Sequence, residues 1–241
     1  NDAGMGMLCA LGYEFYDENG NLLEGKGENL IKVTKISQAN AISQLKECEF
    51  LIACDVDNPL FGKNGAAYVY GPQKGADEAM VKALDAGLIS FASATSEHFS
   101  SEFWNFKGAG AAGGLGFGFV SFLNAKLKPG IEIITNEIRL EDEIQKADLV
   151  ITGEGRLDAQ SSMGKTPTGV AKMAKKHGKP VIALTGSIQE DATICNENGI
   201  DAYFCILNQP TSLEDAMKKD TASKNLSLVA AQAVRLFRLH K

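Results

Sequence analysis

Hydrophobic positions recur most regularly in the second half of the chain. ADLVIT (147–152), PVIALTG (180–186) and DAYFCIL (201–207) are apolar runs of strand length. TGVAKMAKKHG (168–178) and DATICNENG (191–199) read as helices closed by Gly178 and Gly199, and the stretch from Ser212 to Leu239 also reads as helical. Apolar strands alternating with helices over short connections predict a parallel sheet covered on both faces. The first half is less regular. CEFLIACDV (48–56), AAYVYG (66–71) and IEIIT (131–135) predict strands. A helix starting near Asp77 carries Met80, Leu84, Leu88 and Phe91 on one stripe. GAGAAGGLGFG (108–118) leads into an apolar helix, FVSFLNAKL, and RLEDEIQK (139–146) predicts a short one. The expected fold class is α/β, in two α/β domains with a boundary near Glu141: residues 1–140, then 141–241.

Composition narrows the class. A net charge of -6 and the lack of a basic stripe argue against a nucleic-acid partner. No apolar run approaches the ~20 residues of a membrane span. The five cysteines, Cys9, Cys48, Cys54, Cys195 and Cys205, are odd in number and lack CxxC spacing. Reduced thiols and a cytoplasmic location are expected. The chain opens NDAGMGMLCALG, without an initiator Met and without the features of a signal peptide. A fragment of a longer protein is expected.

Candidate chemistry gathers on loops at strand ends. GEGRLDAQSSMGKTPTG (153–169) carries Glu154, Arg156, Asp158 and Lys165 among Gly153, Gly155 and Gly164. Its tail, AQSSMGKT, looks like a loosened P-loop, but a P-loop starts directly off its strand, and here residues intervene. The loop still lies where ligands bind in open α/β sheets. GAGAAGG matches GxGxxG at Gly108, Gly110 and Gly113, yet SEFWNFK before it does not read as a strand, which argues against a dinucleotide site. A glycine-rich turn at a helix start remains either an anion site or a place of close backbone packing. CDVDNPLFG (54–62) sets Asp55 and Asp57 past a strand, where two carboxylates suit Mg²⁺ or serve as turn formers. Lys74 in GPQKGA is a ligand contact or a solvated lysine, and Asp2 precedes another turn into a helix. His98, His177 and His240 show no metal-ligand spacing. Glycine-rich loops bearing Asp, Lys and Arg in an acidic protein point to phosphoryl transfer, where catalysis is mainly positioning and charge neutralisation.

The same stretches, in this order, resemble the bacterial glycerate kinase family, the two-domain type that includes the glycerate 2-kinases. The matching segments are ND-GMGMLCALG, ACDVDNPLFGKNGAAYVYGPQKGA, GAGAAGGLGFG, DLVITGEGRLDAQSSMGKTPTGVA and PVIALTGS, and they span nearly the whole chain. The resemblance implies ATP-dependent phosphorylation of D-glycerate with Mg²⁺, giving 2-phosphoglycerate. It also implies that residues 1–140 belong to an inserted α/β domain and 141–241 to the C-terminal part of a three-layer Rossmann-like domain. The family's first strands would precede Asn1, so part of the active site is expected from that segment, supplied as a second chain. A homo-oligomer is also compatible. Residue chemistry assigns the roles: Asp158 as base or orienting acceptor, Arg156 on the glycerate carboxylate, and Lys165 with Lys74 on the transferred phosphoryl. Lys74 and Asp2 are further substrate-binding candidates. Asp55 and Asp57 are assigned to Mg²⁺, and the backbone of Gly110, Gly113, Gly114 and Gly116 to ATP phosphates. The rival readings are a kinase for another small hydroxy acid and a non-catalytic binding module.

Overall fold

A computed structural model describes residues 1–100, 104–162 and 165–239. Gly164 and His240 lie outside the described residues. In chain order the elements are α1 (Met5–Ala10), β1 (Glu14–Tyr16), β2 (Lys35–Ser37), β3 (Leu51–Ala53), α2 (Ala66–Tyr70), α3 (Glu78–Phe99), α4 (Ala111–Leu123) and β4 (Lys126–Lys128). They continue with α5 (Gly130–Glu137), α6 (Leu140–Lys146), β5 (Val150–Glu154), α7 (Thr166–Lys176), β6 (Val181–Thr185), α8 (Ile194–Glu197), β7 (Ala202–Cys205), α9 (Leu213–Ala216) and α10 (Lys219–Arg238). Two compact units result, Asn1–Gly130 and Ile131–Lys241. The division falls ahead of the boundary expected near Glu141, because Ile131 already packs on the second unit's core, against Gly169 of α7.

The second unit has the expected α/β layering. β5, β6 and β7 pair in parallel in that order, with Val150 opposite Val181 and Ile182 opposite Ala202. Every residue of β6 is buried. Because successive side chains point to opposite faces, Val181 and Ala183 join Val170, Ala171, Ala174 and Cys195 on the face covered by α7 and α8. Ile182 and Leu184 join Ala233 and Val229 of α10 on the other. The segment 191–199, expected as one helix, is a 3₁₀ turn, Glu190–Thr193, followed by the short α8. The region from Ser212 breaks into α9 and α10.

The first unit is built around an aromatic core. Phe91 of α3 stacks on Phe122 of α4 with ring centroids 6.0 Å apart, and both rings meet Phe15 of β1. Asp77 caps α3 by accepting the Met80 N–H at 2.8 Å, and Val81, Leu88, Phe91, Ala92 and Thr95 form its buried stripe. Met80, expected on that stripe, is instead 51% exposed; the helix turns one residue further round and buries Val81. β1 pairs antiparallel with β2, and β3 pairs in parallel with β4.

Two expected strands are helices. AAYVYG forms α2, where the Gly71 N–H reaches back to the Ala67 carbonyl at 2.9 Å and Ala66 and Ala67 are buried. IEIIT lies in α5, where Thr135 is buried while Ile134, and Ile138 just past the helix, are exposed, a spacing that suits a helix. Runs of five or six residues carry too little periodicity to separate strand from helix, and tertiary packing decides.

Candidate functional site

In the first unit the glycine-rich turn is shaped by backbone. α4 is entered through Ala112, Gly113 and Gly114, at φ 51°, 79° and 91°, so regular helix begins only after a left-handed kink. At Gly114 the positive φ favours glycine, and a Cβ would also stand 2.9 Å from Ala3 Cα. Gly110 is required for closeness: its N–H donates to the Asn58 carbonyl at 3.0 Å, and a Cβ there would lie 2.1 Å from the Pro59 oxygen. Gly113 accepts the Ala3 N–H at 3.2 Å and faces Asn1, while Gly116 packs on the Gly108 carbonyl. CDVDNPL is therefore the bed on which the glycine turn rests.

The polar residues expected around this turn have definite partners. Asp2 accepts the Gly4 and Gly6 N–H groups, one on each carboxylate oxygen at 3.0 Å, and so holds the start of α1. Asp55 accepts the N–H of Gly130, the first residue of α5, at 2.9 Å. Asp57 pairs with Lys107 at 2.9 Å on the surface. Lys74 is exposed, on the 3₁₀ turn Pro72–Lys74. Among the described residues no three His, Cys, Asp or Glu side chains form a group that could hold a metal ion.

In the second unit the chemistry is carried by side chains at the carboxyl end of β5. Leu157, fully buried, anchors the loop: its N–H donates to the Ser187 carbonyl and its own carbonyl accepts the Gln189 N–H. Arg156 and Asp158 flank this anchor. Arg156 places Nε and Nη2 on Asp158 Oδ2, both at 3.0 Å. Oδ1 accepts the Ser161 N–H at 3.1 Å. Burial pushes the Asp158 carboxyl up, but the Ser161 N–H, the Arg156 hydrogen bond and charge, and the Lys165 charge outweigh it and hold the carboxyl below its ordinary value. Asp158 thus stays ionised at neutral pH although only 8% exposed. Lys165 sits at the N-cap of α7. Gly155 to Lys165 separate β5 from α7, so the loop is no P-loop.

Four further residues shape this site. Ser161 is buried and also receives the Asp158 N–H on Oγ at 3.2 Å. Thr168, buried in the first turn of α7, donates to the Ser161 carbonyl at 2.7 Å. Cys195 reaches the Asp158 carbonyl with Sγ at 3.6 Å, and its thiol is pushed up by burial and then by the Glu154, Asp158 and Asp191 charges. Glu154 Oε1 is buried and has no hydrogen-bond partner. The D-x-x-S spacing of Asp158 and Ser161 is a capping pattern visible in sequence; Cys195 had no local signal.

This combination of an α/β sheet with a charged loop at a strand end and a separate glycine turn is matched by known proteins. The profile of the glycerate kinase family matches residues 1–238. A glycerate kinase from Halalkalibacterium halodurans is 42% identical over 236 residues, 96% of this chain and 62% of that protein. The glycerate 2-kinase of Escherichia coli K12 is 43% identical over 240 residues, 98% of this chain and 63% of that protein. A crystal structure described as glycerate kinase 2 from Salmonella typhimurium LT2 superposes with TM-score 0.83 at 39% identity, covering all of this chain and 61% of that one. The chain belongs to the glycerate kinase family. It spans under two thirds of the length of these curated relatives.

Proposed function

We propose that this chain serves the ATP-dependent phosphorylation of D-glycerate to 2-phosphoglycerate, with Mg²⁺. The observation that carries the reading is the buried, ionised Asp158 held by Arg156 and Ser161 in a loop of a glycerate kinase family member. Asp158 accepts a hydrogen bond from the substrate hydroxyl. As that oxygen bonds to the γ-phosphorus and the bond to the ADP oxygen breaks, the proton passes to Asp158. A carboxylate held below its ordinary pKa is a weak base, which suits a loose transition state in which orientation counts for more than early proton removal. The edge of the Arg156 guanidinium that Asp158 leaves open pairs with the glycerate carboxylate. Lys165 and Lys74 neutralise the transferred phosphoryl, and Asp2 supports substrate binding. The turn from Gly110 to Gly116 faces the ATP phosphates with N–H groups other than those of Gly110, Ala111, Gly113 and Gly114, which the Asn58, Gly108 and Gly110 carbonyls already take.

Asp55 and Asp57 fit Mg²⁺ in donor chemistry. Each keeps one oxygen outside the hydrogen bonds described, and nucleotide-bound Mg²⁺ takes one or two carboxylates beside phosphate and water oxygens. When bound, the ion neutralises negative charge on the phosphates. No helix among the described residues is long and apolar enough to cross a membrane, and the five cysteines are unpaired. Both facts support a cytoplasmic location as part of the same proposal, with the remaining family segment as partner and a homo-oligomer as a further association. The test is ADP release with D-glycerate, from this chain alone and from the chain extended to the family's full length, with the product assigned by ³¹P NMR. Turnover yielding 2-phosphoglycerate is expected of the extended chain, and its absence there overturns the reading.

A further inference from the structure

The Asp158 carboxylate is aimed by a donor that the first turn of α7 holds from behind. In the 3₁₀ turn Ala159–Ser162, the Ser161 N–H is shared between the Asp158 carbonyl at 3.0 Å and Oδ1 at 3.1 Å. A shared proton responds to small rotations of its turn: a tilt one way strengthens the backbone bond and gives up the carboxylate. The group that sets the tilt lies on the other side of the same residue. The Ser161 carbonyl accepts the Thr168 hydroxyl at 2.7 Å, and Thr168 is fully buried. That hydroxyl has a second acceptor in its own helix, the Lys165 carbonyl at 3.2 Å, but this carbonyl already takes the Gly169 N–H at 2.9 Å. The short bond therefore runs across to the turn. α7 packs on β5 and buries Pro167, Val170, Ala171 and Ala174, so Thr168 acts from a fixed element.

Oδ2 of Asp158 already receives two Arg156 nitrogens, which leaves Oδ1 to meet a substrate hydroxyl. The single Ser161 hydroxyl proton has Oδ1 at 3.3 Å and the Arg156 carbonyl at 3.4 Å within reach, so it turns to the carbonyl when that hydroxyl arrives. We infer that Thr168 is a positioning residue for phosphoryl transfer: through the Ser161 carbonyl it holds the turn that aims Oδ1 of Asp158 at the substrate hydroxyl. The role rests on the reading of Asp158 as the acceptor of that hydroxyl. A threonine that only fastened the turn to α7 would stabilise the fold and leave the chemistry unchanged.

The experiment compares Thr168→Val, which removes the hydroxyl at nearly constant shape, with Thr168→Ser, which keeps it, and with Asp158→Asn. Turnover is measured in the chain extended to the family's full length, below the melting temperature of every variant, and the Asp158 titration is followed by ¹³C NMR. Thr168→Val is expected to lower kcat about three- to tenfold, the range for loss of one hydrogen bond, with the KM for ATP in place. Its Asp158 midpoint should move upward, because the Ser161 N–H favours the ionised form. Thr168→Ser should restore both. Wild-type kcat in Thr168→Val, with Asp158→Asn impaired, overturns the positioning role and leaves the role of Asp158 standing. An unmoved midpoint, or a kcat that serine does not restore, assigns Thr168 to fold stability and overturns it as well. Wild-type turnover in Asp158→Asn overturns the reading of Asp158 and this inference with it. Without any variant, the Ser161 amide of the wild-type chain should exchange slowly with deuterium, and rapid exchange there also overturns the inference.

Discussion

The glycine turn at 108–118 and the charged loop at 153–158 are both glycine-rich ends of otherwise regular elements, yet they are built in opposite ways. In the first, carbonyls crowd where side chains would begin, and the N–H groups of Gly110, Gly113 and Gly114 are taken by the Asn58 and Gly110 carbonyls. In the second, the Leu184 carbonyl crowds only Gly153, still within β5; nothing lies within 4 Å of a Cβ placed on Gly155, and the chemistry sits on Arg156 and Asp158. A loop built from backbone couples its function to the stability of the fold. A loop built from side chains, pinned once by the buried Leu157, lets the chemistry be altered with the fold unchanged.

The sharpest way to break this contrast is Asp158→Asn in the extended chain. It should lower kcat by about 100- to 10,000-fold while far-UV circular dichroism stays that of wild type and the melting temperature falls by only a few degrees. Wild-type turnover would remove Asp158 from the reaction. Gly114→Ala tests the other side. A left-handed alanine costs about 1–2 kcal/mol and the crowding against Ala3 about 1–3 kcal/mol more. In a chain of this size each kcal/mol lowers the melting temperature by about 2–4 °C. An unshifted melt would show that the turn yields easily and that the contrast is overdrawn.

A third measurement concerns protonation. The Asp158 pKa is lowered in the folded protein, so the stability it contributes is fully present above its unfolded value of about 3.9 and is lost as pH falls through the lower folded value. Arg156→Ala should move the Asp158 titration, followed by ¹³C NMR, upward, since a hydrogen bond and a charge that favour the ionised form are gone. An unmoved midpoint would assign the depression to the Ser161 N–H and Lys165. The smallest effect is expected at Lys107→Ala. Its pair with Asp57 is solvent-exposed on both sides, so the melting temperature should not change measurably.

Sequence periodicity alone specified the second unit. Three apolar runs alternating with helices and stopped by Gly178 and Gly199 can bury themselves only as a covered parallel sheet, and that pattern is local enough to read. Motifs rather than periodicity marked the glycine turn and the GEGRLD loop, and their order along the chain carried the resemblance to the family. Periodicity could not decide AAYVYG or IEIIT, because a run of five or six residues is compatible with either period until neighbours cover one face. Nor could it say how each carboxylate is employed. Asp2 and Asp55 hold helix starts, Asp57 takes a lysine fifty residues away, and Asp158 gathers Arg156 and Ser161. An acidic side chain reads the same in every sequence context; its role is set by which N–H group or cation lies within hydrogen-bond reach, and for Asp55 and Asp57 that partner arrives only when distant segments pack together.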